Sequence, residues 1–218
     1  MIISELILQT HNLVETERFY SEKLQLEIIA KTELSVSFRT GDSVLTFEKN
    51  DREGDFKYHF AFNIPANQPE EAIIWAYNRI ELIRNPETHL ITNFDNWRAQ
   101  AVYFYDNNGN LVEFIGRTDL NNNSDAEFSS KSILNISEIG IVTDHPLNLA
   151  QQITQQTGID YFVKGPKTEE FVVLGNDNGL LIIVDPNRNW YPTENKAEKH
   201  KVKARIITGE TELSFDFN

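Results

Sequence analysis

The sequence contains no cysteine among its 218 residues. This absence excludes disulfides, thiolate nucleophiles, zinc fingers and iron–sulfur clusters, and it fits a reducing compartment, so we expect a cytoplasmic protein. Any metal ion that the protein binds must be held by His, Asp and Glu side chains.

Basic residues are also scarce. Against 33 Asp and Glu there are 20 Lys and Arg, which gives a formal net charge of −13. A surface of this charge repels phosphate backbones and anionic lipid head groups, so we expect neither nucleic acid nor a membrane as a partner. The remaining class of partner is a small-molecule substrate or ligand.

Long hydrophobic runs are missing as well. No segment approaches the roughly 20 apolar residues that a membrane helix needs. The N-terminal segment MIISELILQTHN predicts a strand rather than a signal peptide, because Glu5 interrupts its apolar run. Hydrophobic residues nevertheless make up 40% of the chain, which is enough to form a core.

An order of strand, helix and three strands recurs along the chain, and its first copy lies before residue 50. ISELILQT predicts the first strand, and Asn12 with Glu15 predicts the start of a helix. The segments LEIIAKT, LSVSFRT and SVLTFEK predict the three strands that follow.

The second copy opens with the strand YHFAFNIP and a helix started by Asn67 and Pro69. Ile73, Tyr77 and Ile80 are spaced as one buried helical stripe. The copy closes with the strands AVYFY and NLVEFIG, joined by a turn in which Asn-Gly favours type I′.

A third copy begins at ILNISEIGIVT. Its helix is predicted to open at Pro146 and end at Gly158, and a hairpin has Asn178-Gly179 at its tip. The last segments, KVKARIIT and ELSFDF, predict strands without a helix, so the fourth copy is truncated.

These repeats predict an α+β fold in which βαβββ units form curved mixed sheets around a concave site. We divide the chain into a first domain of two units at residues 1–118, a polar linker at 119–132, and a degenerate, truncated second domain at 133–218.

Alternation of side chains along the strands places three groups on the concave face, namely Glu5, His59 and Glu113. Each interval between them is 54 residues. One imidazole with two carboxylates suits Mn²⁺, Fe²⁺, Ni²⁺ or Zn²⁺. Without a cation the two carboxylates would repel each other, which favours a shared proton.

The segments ELILQTHNLVETERFYSEKLQLEI, YHFAFNIP and VYFYDNNGNLVEFIG resemble the vicinal oxygen chelate superfamily, which includes glyoxalase I, bleomycin-resistance proteins and extradiol dioxygenases. The resemblance covers residues 1–118. It implies metal ligands at Glu5, His59 and Glu113, and it aligns a fourth ligand position of the glyoxalases with Thr46.

The sequence departs from the known members at several positions. Glu5 stands where His is usual, Thr46 is not a strong ligand, and the acid–base His of the dioxygenases is missing from the segment before the closing hairpin. In the third copy Glu138 aligns with Glu5, but Ile183 replaces the counterpart of Glu113. We therefore expect Glu138 to be structural and the second domain to have no site of its own, although it can wall off a pocket.

Three functions stay open. The first is a metalloenzyme of lyase, isomerase or dioxygenase type, with Glu113 as the catalytic base. The second is a metal-free protein that sequesters an aromatic or cationic molecule, and the third is a structural role. The chain is expected to be a monomer by internal duplication or a homodimer. The residues expected to contact a substrate are Thr46, Phe38, Phe47, Trp97, Tyr103 and Tyr105.

Overall fold

A computed structural model describes residues 1–52 and 55–217. In these residues 14 strands form one large curved sheet, and three α-helices cover it. The α+β class and the repeated strand–helix–strand units are confirmed.

The elements follow the order of the predicted copies. The first unit contains β1 (Ile2–Thr10), α1 (Leu13–Arg18), β2 (Ile28–Lys31), β3 (Ser35–Thr40) and β4 (Ser43–Lys49). The second contains β5 (His59–Ile64), α2 (Pro69–Ala76), β6 (Leu82–Ile83), β7 (Ile91–Phe94), β8 (Ala99–Tyr105) and β9 (Leu111–Arg117). The third contains β10 (Asn135–Val142), α3 (Pro146–Thr157), β11 (Phe171–Asn176) and β12 (Gly179–Val184), and the fourth contains β13 (Val202–Thr208) and β14 (Thr211–Phe217).

The pairing of strands joins units that are distant in sequence. β1 pairs with β13, so the first unit is completed by the fourth. β5 pairs antiparallel with β10, so the second unit is completed by the third. The concave face of units two and three is consequently built from both halves of the chain.

The same four-residue pattern bends the sheet in two places. Ile3-Ser4-Glu5-Leu6 and Ile136-Ser137-Glu138-Ile139 each carry an irregularity in strand pairing at the Ser. A bulge adds a residue and breaks the alternation of faces. Strict alternation along β1 predicts Ile3 on the concave face with Glu5. This prediction is wrong, because the bulge places Ile3 in the core with Leu6.

The helix boundaries largely follow the predicted signals. The Asn12 side chain accepts a hydrogen bond from the Glu15 amide, as expected of an N-cap, and α1 continues as a π-helical turn over Phe19–Lys23. The helix α3 ends at Gly158, whose φ of 73° suits a residue without Cβ.

The second helix differs from its prediction. Its N-cap is Gln68 rather than Asn67, whose side chain instead bonds to the backbone of Ser124. Tyr77 was placed on the buried stripe but is 72% exposed, because the helix ends at Ala76 and buries Trp75 instead.

The closing hairpin of unit two is also not the two-residue type I′ turn expected. Tyr105 pairs with Leu111, which leaves a five-residue loop, and only Gly109 in that loop has a positive φ. The Asp106 carboxylate explains the longer loop, since it accepts hydrogen bonds from the Asn108 and Asn110 amides. The hairpin of unit three is confirmed, but its tip lies one residue earlier than predicted: the loop consists of Asp177 and Asn178, and Gly179 pairs with Asn176.

Two hydrophobic clusters lie on opposite faces of the sheet. The larger lies under the helices and includes Phe60, Phe62 and Phe114, while the smaller lies on the concave face and includes Ala61 and Ile115. This confirms the predicted phase of β5 and β9. No helix in the described part of the chain is long and apolar enough to cross a bilayer.

Residues 119–132 pack along α2. The Gln68 amide donates to the Ala126 carbonyl, and Phe128 is buried against Trp75 and Phe114. The division of the chain into two domains with a linker stays a prediction, since all units share one sheet.

Candidate metal centre

Three neighbouring strands bring one imidazole and two carboxylates together. Ala61 on β5 pairs with Glu113 on β9 and with Glu138 on β10, and His59 lies two residues before Ala61. The small Ala61 side chain leaves space between the two carboxylates. One ligand atom from each of His59, Glu113 and Glu138 lies within 4.8 Å of the others, and all three residues are buried.

His59 is oriented by the backbone. Its Nδ1 lies 3.1 Å from the Leu111 carbonyl oxygen, which can only accept, so Nδ1 carries the proton and Nε2 is left with a free lone pair. Nε2 is 3.9 Å from Glu113 Oε2. Burial lowers the pKa of His59 to about 4, so the neutral ring that a metal requires is the stable form.

Glu113 is only 2% exposed, and the Tyr103 hydroxyl donates a hydrogen bond to it. Burial and the nearby Glu138 raise the pKa of Glu113 well above its ordinary value, although Arg117 opposes this change. With no cation present, burial and the nearby Glu138 therefore favour the protonated form of Glu113.

Glu138 is held by a buried arginine. Arg117 is fully buried, its Nη2 donates to Glu138 Oε1, and its Nε donates to Ser137 Oγ at 3.3 Å. Burial still raises the pKa of Glu138, and Arg117 offsets part of this rise. Because of the bulge at Ser137, the Ser137 hydroxyl and the Glu138 carboxylate both contact the guanidinium of Arg117.

His59, Glu113 and Glu138 form the floor of a cavity of about 190 Å³. Its walls are mostly aromatic, and the Trp190 ring lies beside His59, tilted by 41° with 4.8 Å between ring centroids. The long segment between β12 and β13 crosses the concave face and supplies Arg188, Asn189, Trp190 and Tyr191. The remaining wall residues are Phe94, Trp97, Tyr103, Ile115, Pro166, Phe171 and Ile182.

The structure does not bring Glu5 to this group. Glu5 lies on the concave face of units one and four, where its Oε2 forms an ion pair with Arg205 Nε at 3.2 Å. Thr46 lies on the neighbouring strand and bonds to Ser37 at 2.8 Å. The truncated fourth unit adds two strands, β13 and β14, beside β1. Arg205 on β13 is exposed on that face.

The predicted aromatic contacts divide between the pocket and other places. Trp97 and Tyr103 line the cavity. Phe38 and Phe47 lie under the helices, packed on Tyr20. Tyr105 lies outside the lining residues and accepts a hydrogen bond from Asn195.

The sequence analysis missed Glu138 as a site residue and Arg117 altogether. The signal for Glu138 was its alignment with Glu5, since both follow Ile-Ser. No local pattern distinguishes the buried Arg117 from an exposed arginine at a strand end.

The donor set fits a divalent cation. A buried imidazole with a free nitrogen and two converging carboxylates, one of which otherwise needs a proton, is the composition that such ions prefer.

Comparison with solved structures agrees with the sequence resemblance. A candidate dioxygenase from Bacillus subtilis matches with a TM-score of 0.60 and 15% identity over 84% of this chain and 63% of the other. Glyoxalase I from Zea mays, as a V278E mutant, matches with a TM-score of 0.57 and 12% identity over 84% and 67%. A lactoylglutathione lyase from Agrobacterium tumefaciens gives a TM-score of 0.44 and 22% identity over 54% and 94%.

No family model and no curated protein matches the sequence. The chain has the fold of the vicinal oxygen chelate superfamily, and it spans about two thirds of the length of the two chains with the higher TM-scores.

Proposed function

We propose that this protein is a divalent-metal enzyme of lyase, isomerase or dioxygenase type that acts on a small molecule. One observation carries the proposal: His59, Glu113 and Glu138 present their donor atoms within 4.8 Å of one another on the floor of an aromatic cavity. Mn²⁺, Fe²⁺, Ni²⁺ and Zn²⁺ all suit this donor set. A bound ion would act as a Lewis acid on substrate oxygens.

The surrounding residues have distinct roles in this proposal. The backbone bond from Leu111 keeps His59 in the tautomer whose Nε2 faces the cavity. The aromatic walls exclude water and strengthen electrostatic interactions on the floor.

Glu113 is the group best placed to move a proton. In the metal-free protein its raised pKa makes it a stronger base than an exposed glutamate, and Tyr103 bonds to it. This role requires the carboxylate to leave the cation during turnover.

The test is metal content, measured by inductively coupled plasma mass spectrometry on untagged protein purified without chelator and then offered each of the four metals. We expect about one equivalent per chain, because three converging protein ligands hold one ion and leave a position open for substrate. His59→Ala, Glu113→Gln and Glu138→Gln should each lose it.

Glu5→Gln is the matched control, because it removes the same charge from the equivalent strand position outside the cavity. Retention of metal in Glu5→Gln and loss in Glu138→Gln would assign the third ligand to Glu138. Metal loss in Glu5→Gln alone would contradict the proposed ligand set, and absence of metal from the native protein would contradict the metalloenzyme.

One observation favours a metal-free binding protein instead. Arg117 already pairs with Glu138, so the floor is neutral without a cation when Glu113 holds its proton. In that case the aromatic cavity would bind its ligand equally well in wild type and Glu138→Gln, with or without chelator, as measured by calorimetry.

A further inference from the structure

A series of ion pairs extends from behind the cavity floor to the surface of the protein. Lys164 Nζ lies 2.7 and 2.9 Å from the two carboxylate oxygens of Asp177 and 3.0 Å from Asp119. Arg98 Nε lies 2.7 Å from Asp119. Asp177 Oδ1 also lies 3.7 Å from Arg117 Nη1, so Arg117 belongs to the same group. Asp177 and Asp119 balance Lys164 and Arg98, which leaves the charge of Arg117 to the carboxylate of Glu138 on the floor.

A second arginine lies at the mouth of the same cavity. Arg188 lines the pocket, is exposed, and lies over the Phe171 ring with 4.2 Å between its Cζ and the ring centroid. Among the described residues no acidic side chain lies within ion-pair distance of Arg188, although the protein as a whole is strongly acidic. An arginine stacked on an aromatic wall is held in a fixed place and keeps its N–H donors available.

The shape of the cavity limits the body of a ligand. About 190 Å³ between aromatic rings suits a single flat ring or an apolar group of similar size, since a cavity of about 150 Å³ accepts benzene. Stacking and burial of apolar surface would supply its binding energy.

We infer that the pocket takes a small organic anion with a flat apolar body, and that Arg188 selects it by pairing with the anionic group. This inference deepens the proposed function and uses the same cavity. Suppose that a divalent cation is bound and that Glu113 and Glu138 are both ionised. The ion and Arg117 then carry three positive charges against two negative charges. An anionic ligand would neutralise the remaining positive charge.

The net charge of −13 does not argue against an anionic ligand. Exposed charges are screened within about 10 Å in ordinary buffer, whereas Arg188 and Arg117 act at the mouth and floor of the pocket itself. A cationic ligand, which the overall charge alone favours, would meet Arg188 at the mouth of the pocket.

The experiment compares three probes of similar shape and different charge, namely phenylacetate, phenylacetamide and 2-phenylethylammonium. Their binding is measured by isothermal titration calorimetry and by quenching of tryptophan fluorescence, since Trp97 and Trp190 line the pocket. Wild type, Arg188→Met and Arg188→Lys are tested, each stripped of metal and reloaded. Arg39→Met is the matched control, because Arg39 is an exposed arginine paired with Glu27 outside the pocket.

We expect phenylacetate to bind about tenfold more tightly than phenylacetamide, as for a charge-assisted hydrogen bond. Arg188→Met should remove this preference, while Arg188→Lys should keep part of it and Arg39→Met all of it. Reloading with metal should increase the preference.

The inference is overturned if the cation binds best, if the amide binds as well as the anion, if Arg188→Met keeps the full preference, or if no probe gives saturable binding. Metal content is measured on the same samples. A preference for the anion in protein that never takes up metal would support the inference and count against the metalloenzyme, so the two failures are distinguishable.

Discussion

The buried guanidinium of Arg117 bonds directly to the carboxylate of Glu138, although the two residues lie on strands from different halves of the chain. A carboxylate on the floor of an apolar cavity is costly unless it is paired. Arg117 opposes the rise in pKa that burial causes for Glu138, and Arg117 and Tyr103 oppose the rise for Glu113.

Removal of Arg117 should therefore destabilise the fold. Arg117→Met leaves Glu138 buried without its partner, and we expect a loss of about 3–5 kcal/mol in the free energy of unfolding, measured with urea. Arg98→Met, which breaks the exposed pair with Asp119, should change the free energy of unfolding little, because solvent screens that pair.

A double variant separates the buried charge from lost packing. Arg117→Met combined with Glu138→Gln should recover part of the stability, because no unpaired charge remains. A loss below about 1 kcal/mol in Arg117→Met would contradict the structural role of the pair.

The second prediction concerns pH and His59. Because the pKa of His59 is about 4 in the folded protein and 6.5 when unperturbed, the unfolded chain binds a proton between these values and the folded protein does not. The contribution of His59 to stability is thus lost as pH falls from 6.5 towards about 4, and it is constant above 6.5.

Urea unfolding of wild type and His59→Gln in chelator, across this range, measures the effect. The stability of wild type relative to the variant should fall as pH falls. Both proteins retain Glu113, whose raised pKa acts in the opposite direction, so the comparison cancels most of its contribution. A difference that does not change with pH would show that His59 is solvated.

The third prediction concerns the contact between Gly140 and Trp190. A Cβ added at Gly140 would lie 2.6 Å from Trp190 Cη2 and 3.2 Å from the His59 carbonyl oxygen. Gly140→Ala must push the indole away from His59, and we expect a loss of about 1–3 kcal/mol with a change in tryptophan emission.

The partner variant is Trp190→Ala, which opens space at the same place. Gly140→Ala should cost much less in the Trp190→Ala background than in wild type, because the clash is gone. Equal costs in both backgrounds would mean that the indole does not occupy the space over Gly140.

Local patterns predicted most of the elements of the fold. The Asn12 cap, the end of α3 at Gly158 and the faces of β5 and β9 follow from residues close in sequence. The errors arise where a contact from elsewhere intervened. Asn67 is held by Ser124, so Gln68 takes the cap.

The candidate site likewise combines residues that the local sequence predicts with one that only a distant strand pairing brings in. His59 and Glu113 belong to one unit, and strand alternation places both on the concave face. Glu138 reaches them only because β10 pairs with β5 across more than 70 residues. Nothing in the local sequence of Glu5 and Glu138 distinguishes them, since both follow Ile-Ser and both lie at a bulge.

The sequence by itself determined the units of the fold, their helices and strands, and the face on which each polar side chain lies, because these follow from short-range periodicity and capping. The tertiary structure decided which units share a sheet. That choice depends on the burial of apolar surface between distant segments. It placed Glu138 in the cavity with Arg117 buried behind it, and it left Glu5 with Arg205 at the surface.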